Sequence, residues 1–84
     1  MIDVHPNALK HGLTEDDILC AWDNVIRLQY READEVGQVV AIGTDGGGRL
    51  VELVGVDKPF GMLIYHANTP PSARVLAELG LARR

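Results

Sequence analysis

The sequence predicts an α+β fold with two N-terminal helices, a four-stranded antiparallel β-meander and a C-terminal helix. Three observations lead to this prediction. A helix-start signal lies at residue 14, apolar and polar residues alternate in residues 25–31 and are followed by further strand-like segments separated by short turns up to residue 67, and a proline pair at residue 70 marks a further helix start. A chain of 84 residues, of which 46% are apolar, forms one domain, which we expect to span residues 1–84.

Two helices are predicted ahead of the sheet. The first covers residues 6–10, because proline suits a first helical turn and Gly12 suits the left-handed position that closes a helix. The second follows Thr14, whose hydroxyl can cap it, and three acidic residues in its first turn favour the positive end of the helix dipole. This helix ends near Asn24 and is predicted to bury Ile18, Leu19 and Trp22.

Four strands are predicted after the helices, at residues 25–31, 39–44, 49–56 and 62–67. In the first strand apolar and polar residues alternate, which is typical of a half-exposed strand with Arg27 and Arg31 on its polar side. The glycine-rich residues 45–48 predict a tight turn, because glycine adopts positive φ without steric cost. Links this short join antiparallel neighbours, so the strands are expected to form a meander.

The last predicted helix starts at Thr69 and the two prolines that follow it, and Gly80 suits its C-terminal end. Its apolar stripe consists of Val75, Leu76 and Leu79. An antiparallel sheet that buries one face under helices can leave the other face to solvent. We therefore expect an uncovered, concave sheet face to carry the function.

The charge balance is acidic, with eight Lys and Arg against twelve Asp and Glu and a net charge of −4. A net charge of this sign does not attract nucleic acid over long range. Residues 14–24, however, hold four acidic residues and no cation, and all the arginines lie elsewhere. Two interpretations stay open at this point: the arginines form a local basic patch, or they are solvated surface charges.

The sequence also predicts where the protein works and what it does not bind. No apolar run approaches the roughly 20 residues that span a bilayer, and the N-terminal residues lack the pattern of a secretory signal, so we expect a cytoplasmic protein. Cys20 is the single cysteine and cannot form an internal disulfide. His5, His11 and His66 lack the i, i+4 spacing of a metal-binding pair. We expect neither a metal nor a cofactor.

Several short motifs resemble BrnT-type toxins, which belong to the RelE-like group of small bacterial ribonucleases paired with an antitoxin. They are Lys10-His11-Gly12-Leu13, Val40-Ala41-Ile42-Gly43, Arg49-Leu50-Val51, and a last strand that runs into a Pro/Ser-initiated helix. The resemblance covers roughly residues 5–79. It implies a compact α+β fold with an antiparallel sheet and RNA cleavage without a metal. It also implies inhibition by a dimeric DNA-binding antitoxin of the ribbon-helix-helix type.

The chain departs from that group in two respects. Members of the group tend to be basic, whereas this chain is acidic. Their last strand typically ends in an Arg-rich stretch, whereas this one reads Ile64-Tyr65-His66-Ala67-Asn68, so that His66 stands about where a cation is expected.

Metal-free RNA cleavage needs a base for the 2′-hydroxyl, an acid for the departing 5′-oxygen and a cation for the phosphate. Histidine can do the first two tasks near neutral pH, and the guanidinium fork of arginine suits the third. The candidate catalytic residues are His66, His11, Arg49 and Glu52, the last as a base or as the group that orients a histidine. Structural alternatives are a histidine bonded to the backbone, an arginine in a turn and a carboxylate in a buried ion pair.

Lys10, Arg27 and Arg31 are the candidate RNA-binding residues. The alternative for the two arginines is that they are edge-strand charges, which discourage aggregation. Two functions follow from these residues. The first is a toxin that cleaves RNA as a metal-independent endoribonuclease and is held in check by an antitoxin. The alternative is a non-catalytic module with the toxin fold that binds a protein partner or self-associates, for example as a homodimer.

Overall fold

The computed structural model describes residues 1–31 and 37–81. Along the chain the elements are β1 (Ile2–Val4), a 3-10 turn (Pro6–Leu9), α1 (Glu15–Asp23), β2 (Val25–Tyr30), β3 (Gln38–Thr44), β4 (Leu50–Lys58), β5 (Gly61–Asn68) and α2 (Ala73–Glu78). The five strands form one mixed sheet in the order β1-β5-β4-β3-β2. None of the helices in these two ranges has the length and apolar character needed to cross a membrane.

The fold is α+β, but the predicted architecture was wrong at its N-terminal end. The first predicted helix is a 3-10 turn of four residues. Ahead of it, β1 pairs in parallel with β5, with Ile2 opposite Met62 and Val4 opposite Ile64. The sheet therefore has five strands and is mixed, rather than four antiparallel strands. Because β1 has three residues, it is too short to show a period of two, and its partner is distant in sequence.

α1 forms where its start signal predicts it. Thr14 Oγ1 accepts a hydrogen bond from the Asp17 backbone N–H, and Asp17 Oδ2 accepts one from the Thr14 N–H, both at 3.0 Å. This reciprocal pair satisfies two of the amide groups that a helix start leaves without partners. The helix buries Ile18 and Ala21 completely, while Trp22 is partly buried against the same core.

The sheet has two covered faces. The first face packs against α1 and the 3-10 turn, and Val39, Leu53 and Ile64 lie in its core. On the second face, Val75 of α2 and Leu79, which follows the helix, pack on β3 and β4. The expected uncovered face is thus covered in part, by the apolar stripe of α2. Because α2 has only six residues, polar side chains of the sheet beside it stay accessible.

A β-bulge in the β4–β5 ladder brings neighbouring residues of β5 to the same face. Val54 pairs with His66, whereas the next residue of β4, Gly55, pairs with Ile64, so Tyr65 is the extra residue. Tyr65 packs with the core of the second face, and His66 is bonded to a side chain of β4 on that face. Strict alternation would have sent one of the two side chains to the first face.

Candidate active site

A pocket of about 330 Å³ lies on the second face, between α2 and strands β3, β4 and β5. Val54 of the sheet and Val75 of α2 form its apolar part. Its polar wall consists of charged groups and hydrogen-bonding side chains from the end of β2, from β3 to β5 and from α2: Arg31, Gln38, Glu52, Tyr65, His66, Ser72 and Arg74. Two sequence-predicted catalytic residues, Glu52 and His66, thus line one cavity.

Glu52 is the buried carboxylate of this pocket. It lies in the interior of β4 with 5% of its surface exposed. Oε1 accepts hydrogen bonds from the backbone N–H and the hydroxyl of Ser72, each at 2.9 Å, and Oε2 lies 2.7 Å from His66 Nε2. Burial by itself raises the pKa of Glu52, but the Ser72 N–H and the bonds from His66 and the Ser72 hydroxyl outweigh burial and hold that pKa below 4.5. Glu52 is therefore ionised at neutral pH.

The Glu52 contact assigns the tautomer of His66. An ionised carboxylate only accepts hydrogen bonds, so Nε2 of His66 carries the proton that Glu52 receives. In the neutral ring Nδ1 then holds a lone pair and can take a proton. The side chain of His66 is 33% exposed, so a ligand in the pocket can reach the ring.

His11 does not line the pocket itself, but it supplies a second imidazole beside His66. It follows the 3-10 turn, and its ring centroid lies 5.7 Å from that of His66, with the planes at 69°. The 3-10 turn packs close to β5, where the Asn7 side chain donates a hydrogen bond of 3.1 Å to the Tyr65 carbonyl. The structure therefore brings together three of the four predicted catalytic residues, namely His11, Glu52 and His66.

Arg31 joins the pocket to α2. Its Nε and Nη2 groups donate to the two carboxylate oxygens of Glu78 at 2.8 Å each, and Nη1 donates to Gln38 Oε1 at 3.1 Å. Gln38 Nε2 in turn donates to the Tyr65 hydroxyl. The hydrogen bonds from Arg31 lower the pKa of Glu78, and the bond with Glu78 raises the pKa of Arg31, so both groups are charged over the neutral range.

The other predicted residues lie elsewhere. Arg49 is at the β3–β4 turn, where Nε donates to Asp45 at 2.6 Å and Nη2 lies 3.7 Å from Asp17. Arg27 Nη1 donates to the Leu79 carbonyl at 3.1 Å and so satisfies a free carbonyl at the end of α2. Lys10 is exposed beside the 3-10 turn and does not line the pocket. The structure gives Arg49 and Arg27 structural contacts.

Four polar residues of the pocket were not predicted: Gln38, Tyr65, Ser72 and Arg74. Ser72 had a signal, because it follows the two prolines and caps α2 by accepting from the Val75 N–H at 3.3 Å. Arg74 follows two residues later on that helix. No sequence signal identifies Tyr65, because its side chain reaches the pocket through the bulge.

Comparison with known proteins yields no relative: no protein-family model, no curated protein and no solved structure matches the chain. Within residues 1–31 and 37–81, no three His, Cys, Asp or Glu side chains are grouped as ligands of a metal ion.

Proposed function

We propose that the protein is a metal-independent endoribonuclease and that the pocket beside α2 is its active site. The observation that supports this most strongly is the Glu52–His66 hydrogen bond of 2.7 Å, which lies in a pocket that arginines also line. A second imidazole, His11, stands next to it. Two imidazoles and a fixed carboxylate are the groups that proton transfer to and from RNA oxygens requires.

In the proposed reaction His66 is the general base. Nδ1 takes the proton from a 2′-hydroxyl, the 2′-oxygen forms a bond to the adjacent phosphorus, and the bond between phosphorus and the 5′-oxygen breaks. His11, in its protonated form, gives a proton to the departing 5′-oxygen. Glu52 is a positioning residue, because it accepts from Nε2 and stabilises the positive charge that His66 gains. Arg49 has no part in this scheme, since its guanidinium is bonded to Asp45 at the β3–β4 turn.

The direct test is cleavage of single-stranded RNA by the purified protein in the presence of EDTA. We expect the wild-type chain to cleave and His66→Ala to lose at least about a hundredfold in rate, which is within the usual contribution of a general base. His5→Ala is the matched control, because the His5 side chain accepts a hydrogen bond from the nearby Asn7 N–H and does not line the pocket. A wild-type chain that does not cleave, or a His66→Ala variant that cleaves as fast, would refute the proposal.

The biological role proposed here is that of a cytoplasmic toxin in a type II toxin–antitoxin system, and it depends on the resemblance to BrnT-type toxins. The expected partner is a dimeric ribbon-helix-helix antitoxin encoded beside this gene. Induced expression of the chain alone should then slow bacterial growth, and His66→Ala should restore it. Growth that is equal with and without induction would contradict this role while leaving the cleavage test unaffected.

A second candidate function is a non-catalytic binding module, and the edge strand β2 favours it. Ile26, Leu28 and Tyr30 are 57%, 40% and 53% exposed. Leu28 and Tyr30 stand opposite Ala41 and Val39 of the first face, beyond the area that α1 covers. Exposed apolar side chains on an unpaired edge are typical of strand-to-strand association.

Sedimentation velocity over a hundredfold range of protein concentration tests this candidate. If β2 mediates self-association, the wild-type chain forms dimers at high concentration and Leu28→Asp stays monomeric. Leu50→Asp serves as the control, because Leu50 is exposed to a similar degree, 41%, on a different strand. If the chain stays monomeric at every concentration, self-association is excluded, and only binding to a separate protein remains of this candidate function.

A further inference from the structure

The cations of the pocket differ in how far their charge is already compensated. Arg31 uses three N–H groups on Glu78 and Gln38 and is partly buried. Arg74 is exposed and, within the part of the chain that the structure describes, makes no salt bridge and no side-chain hydrogen bond. Both guanidinium groups line the cavity, but Arg74 alone offers its full set of donors to a ligand.

The charges around the cavity support the same distinction. Glu78 offsets Arg31 in a salt bridge of 2.8 Å. The charge of Arg74 also helps to lower the pKa of Glu78, but within the described residues Arg74 forms no salt bridge with that carboxylate. An anion that enters the cavity can therefore bond directly to the Arg74 guanidinium, whereas Arg31 is already held by Glu78.

We propose that Arg74 is the residue that binds the phosphate group of the substrate, so that the pocket is a site for a phosphodiester of single-stranded nucleic acid. This inference rests on the proposed function. It assigns contact with the substrate phosphate to Arg74 of α2, whereas the sequence suggested Arg49 and Arg31 for that role. The guanidinium fork matches two phosphate oxygens. The cavity of about 330 Å³ equals the liquid volume of about ten water molecules, which is room for a phosphate and its sugar.

Binding of a fluorescently labelled 2′-deoxy tetranucleotide, measured by anisotropy at low salt, tests the inference without cleavage. We expect Arg74→Ala to weaken binding by about ten- to a hundredfold, which corresponds to the loss of charge-assisted hydrogen bonds. Arg74→Lys should retain part of the affinity. Lys58→Ala is the matched control, because it removes one exposed positive charge from the far end of β4, outside the pocket; we expect it to weaken binding less than threefold.

Because Arg74 is exposed, its variants should have the same urea midpoint as the wild-type chain. Arg74→Gln repeats the binding test with an uncharged side chain that is longer than alanine. Equal binding by Arg74→Ala, Arg74→Gln and Lys58→Ala would overturn the inference, as would a wild-type chain that does not bind the oligonucleotide. If the wild-type chain cleaves RNA but binding is independent of Arg74, the nuclease stands and this assignment fails. If binding depends on Arg74 but no RNA is cleaved, this assignment stands and the nuclease fails.

Discussion

Glu52→Ala tests whether the buried carboxylate stabilises the attachment of α2 to the sheet. The substitution removes three hydrogen bonds, two from Ser72 at 2.9 Å and one from His66 at 2.7 Å. A hydrogen bond contributes about 1 kcal/mol net, and more where one partner is charged. Ser72 is exposed and His66 is 33% exposed, so water can replace part of what is lost. We therefore expect a loss of about 3 kcal/mol rather than the larger cost of leaving fully buried partners without hydrogen bonds.

The expected loss for Glu52→Ala is a large fraction of the free energy of unfolding. At about 0.05–0.15 kcal/mol per residue, a chain of this length has a free energy of unfolding of about 4–13 kcal/mol. With a urea m value of about 1 kcal/mol/M, Glu52→Ala should lower the midpoint of urea unfolding by about 3 M. Far-UV circular dichroism and the fluorescence of Trp22 give two readouts, from the helices and from the α1 packing respectively.

Glu52→Gln is the matched control for this experiment. Its amide oxygen can still accept from Ser72, so it should cost only about 1 kcal/mol. A Glu52→Ala variant that unfolds within about 0.5 kcal/mol of the wild-type chain would refute the reasoning, because a fully solvated surface residue gives that result. Equal losses in the alanine and glutamine variants would show that the charge, and not the Ser72 contacts, carries the effect.

Two further predictions concern packing and pH. A Cβ at Gly43 would overlap the Ala21 carbonyl of α1, so Gly43→Ala should lower the urea midpoint strongly, whereas Gly46→Ala, which meets no atom within 4 Å, should not. A Gly43→Ala variant as stable as Gly46→Ala would contradict the close packing of α1. Arg31 lowers the pKa of Glu78, so this pair stabilises the folded state above about pH 4.5, and its contribution is lost as the pH falls through the folded pKa. Unfolding at pH 6 and pH 3 should therefore differ less in Glu78→Gln than in the wild-type chain, and an equal difference would contradict this assignment.

Most of the order of helices and strands along the chain could be predicted from local sequence signals. Thr14 with the acidic turn after it predicted α1, the period of two predicted β2, and apolar segments between short turns predicted β3 to β5. These signals suffice because capping and alternation are local properties. β1 could not be found in this way, since its three residues are held by a parallel partner at the other end of the chain.

The candidate site was predicted only in part, for a similar reason. Glu52 was conspicuous as a carboxylate in an apolar strand, and a buried carboxylate requires a partner. His66 was singled out by its chemistry, and the structure brings it to Glu52. The position of the Tyr65 side chain in the pocket depends on the register shift between β4 and β5, which no residue of β5 predicts. Arg74 depends on where α2 packs, which is a property of the tertiary structure.

The acidic net charge is compatible with the proposed phosphate site because part of the acidic charge lies away from the pocket. The acidic first turn of α1, with Glu15, Asp16 and Asp17, covers the first face of the sheet. The pocket with Arg31 and Arg74 lies on the second face. Exposed charges more than a Debye length of about 8 Å apart are largely screened from each other, so the acidic turn of α1 on the first face does not prevent Arg74 from binding a phosphate on the second face.

The most direct test of the central claim is the chemistry of the product ends, determined on a short RNA with a single cleavage site in the presence of EDTA. If His66 takes the 2′-hydroxyl proton beside Glu52, cleavage leaves a 2′,3′-cyclic phosphate and a 5′-hydroxyl, and a 2′-deoxy substitution at the cleaved nucleotide abolishes it. Products with a 5′-phosphate, or cleavage that persists at the 2′-deoxy nucleotide, would contradict the account.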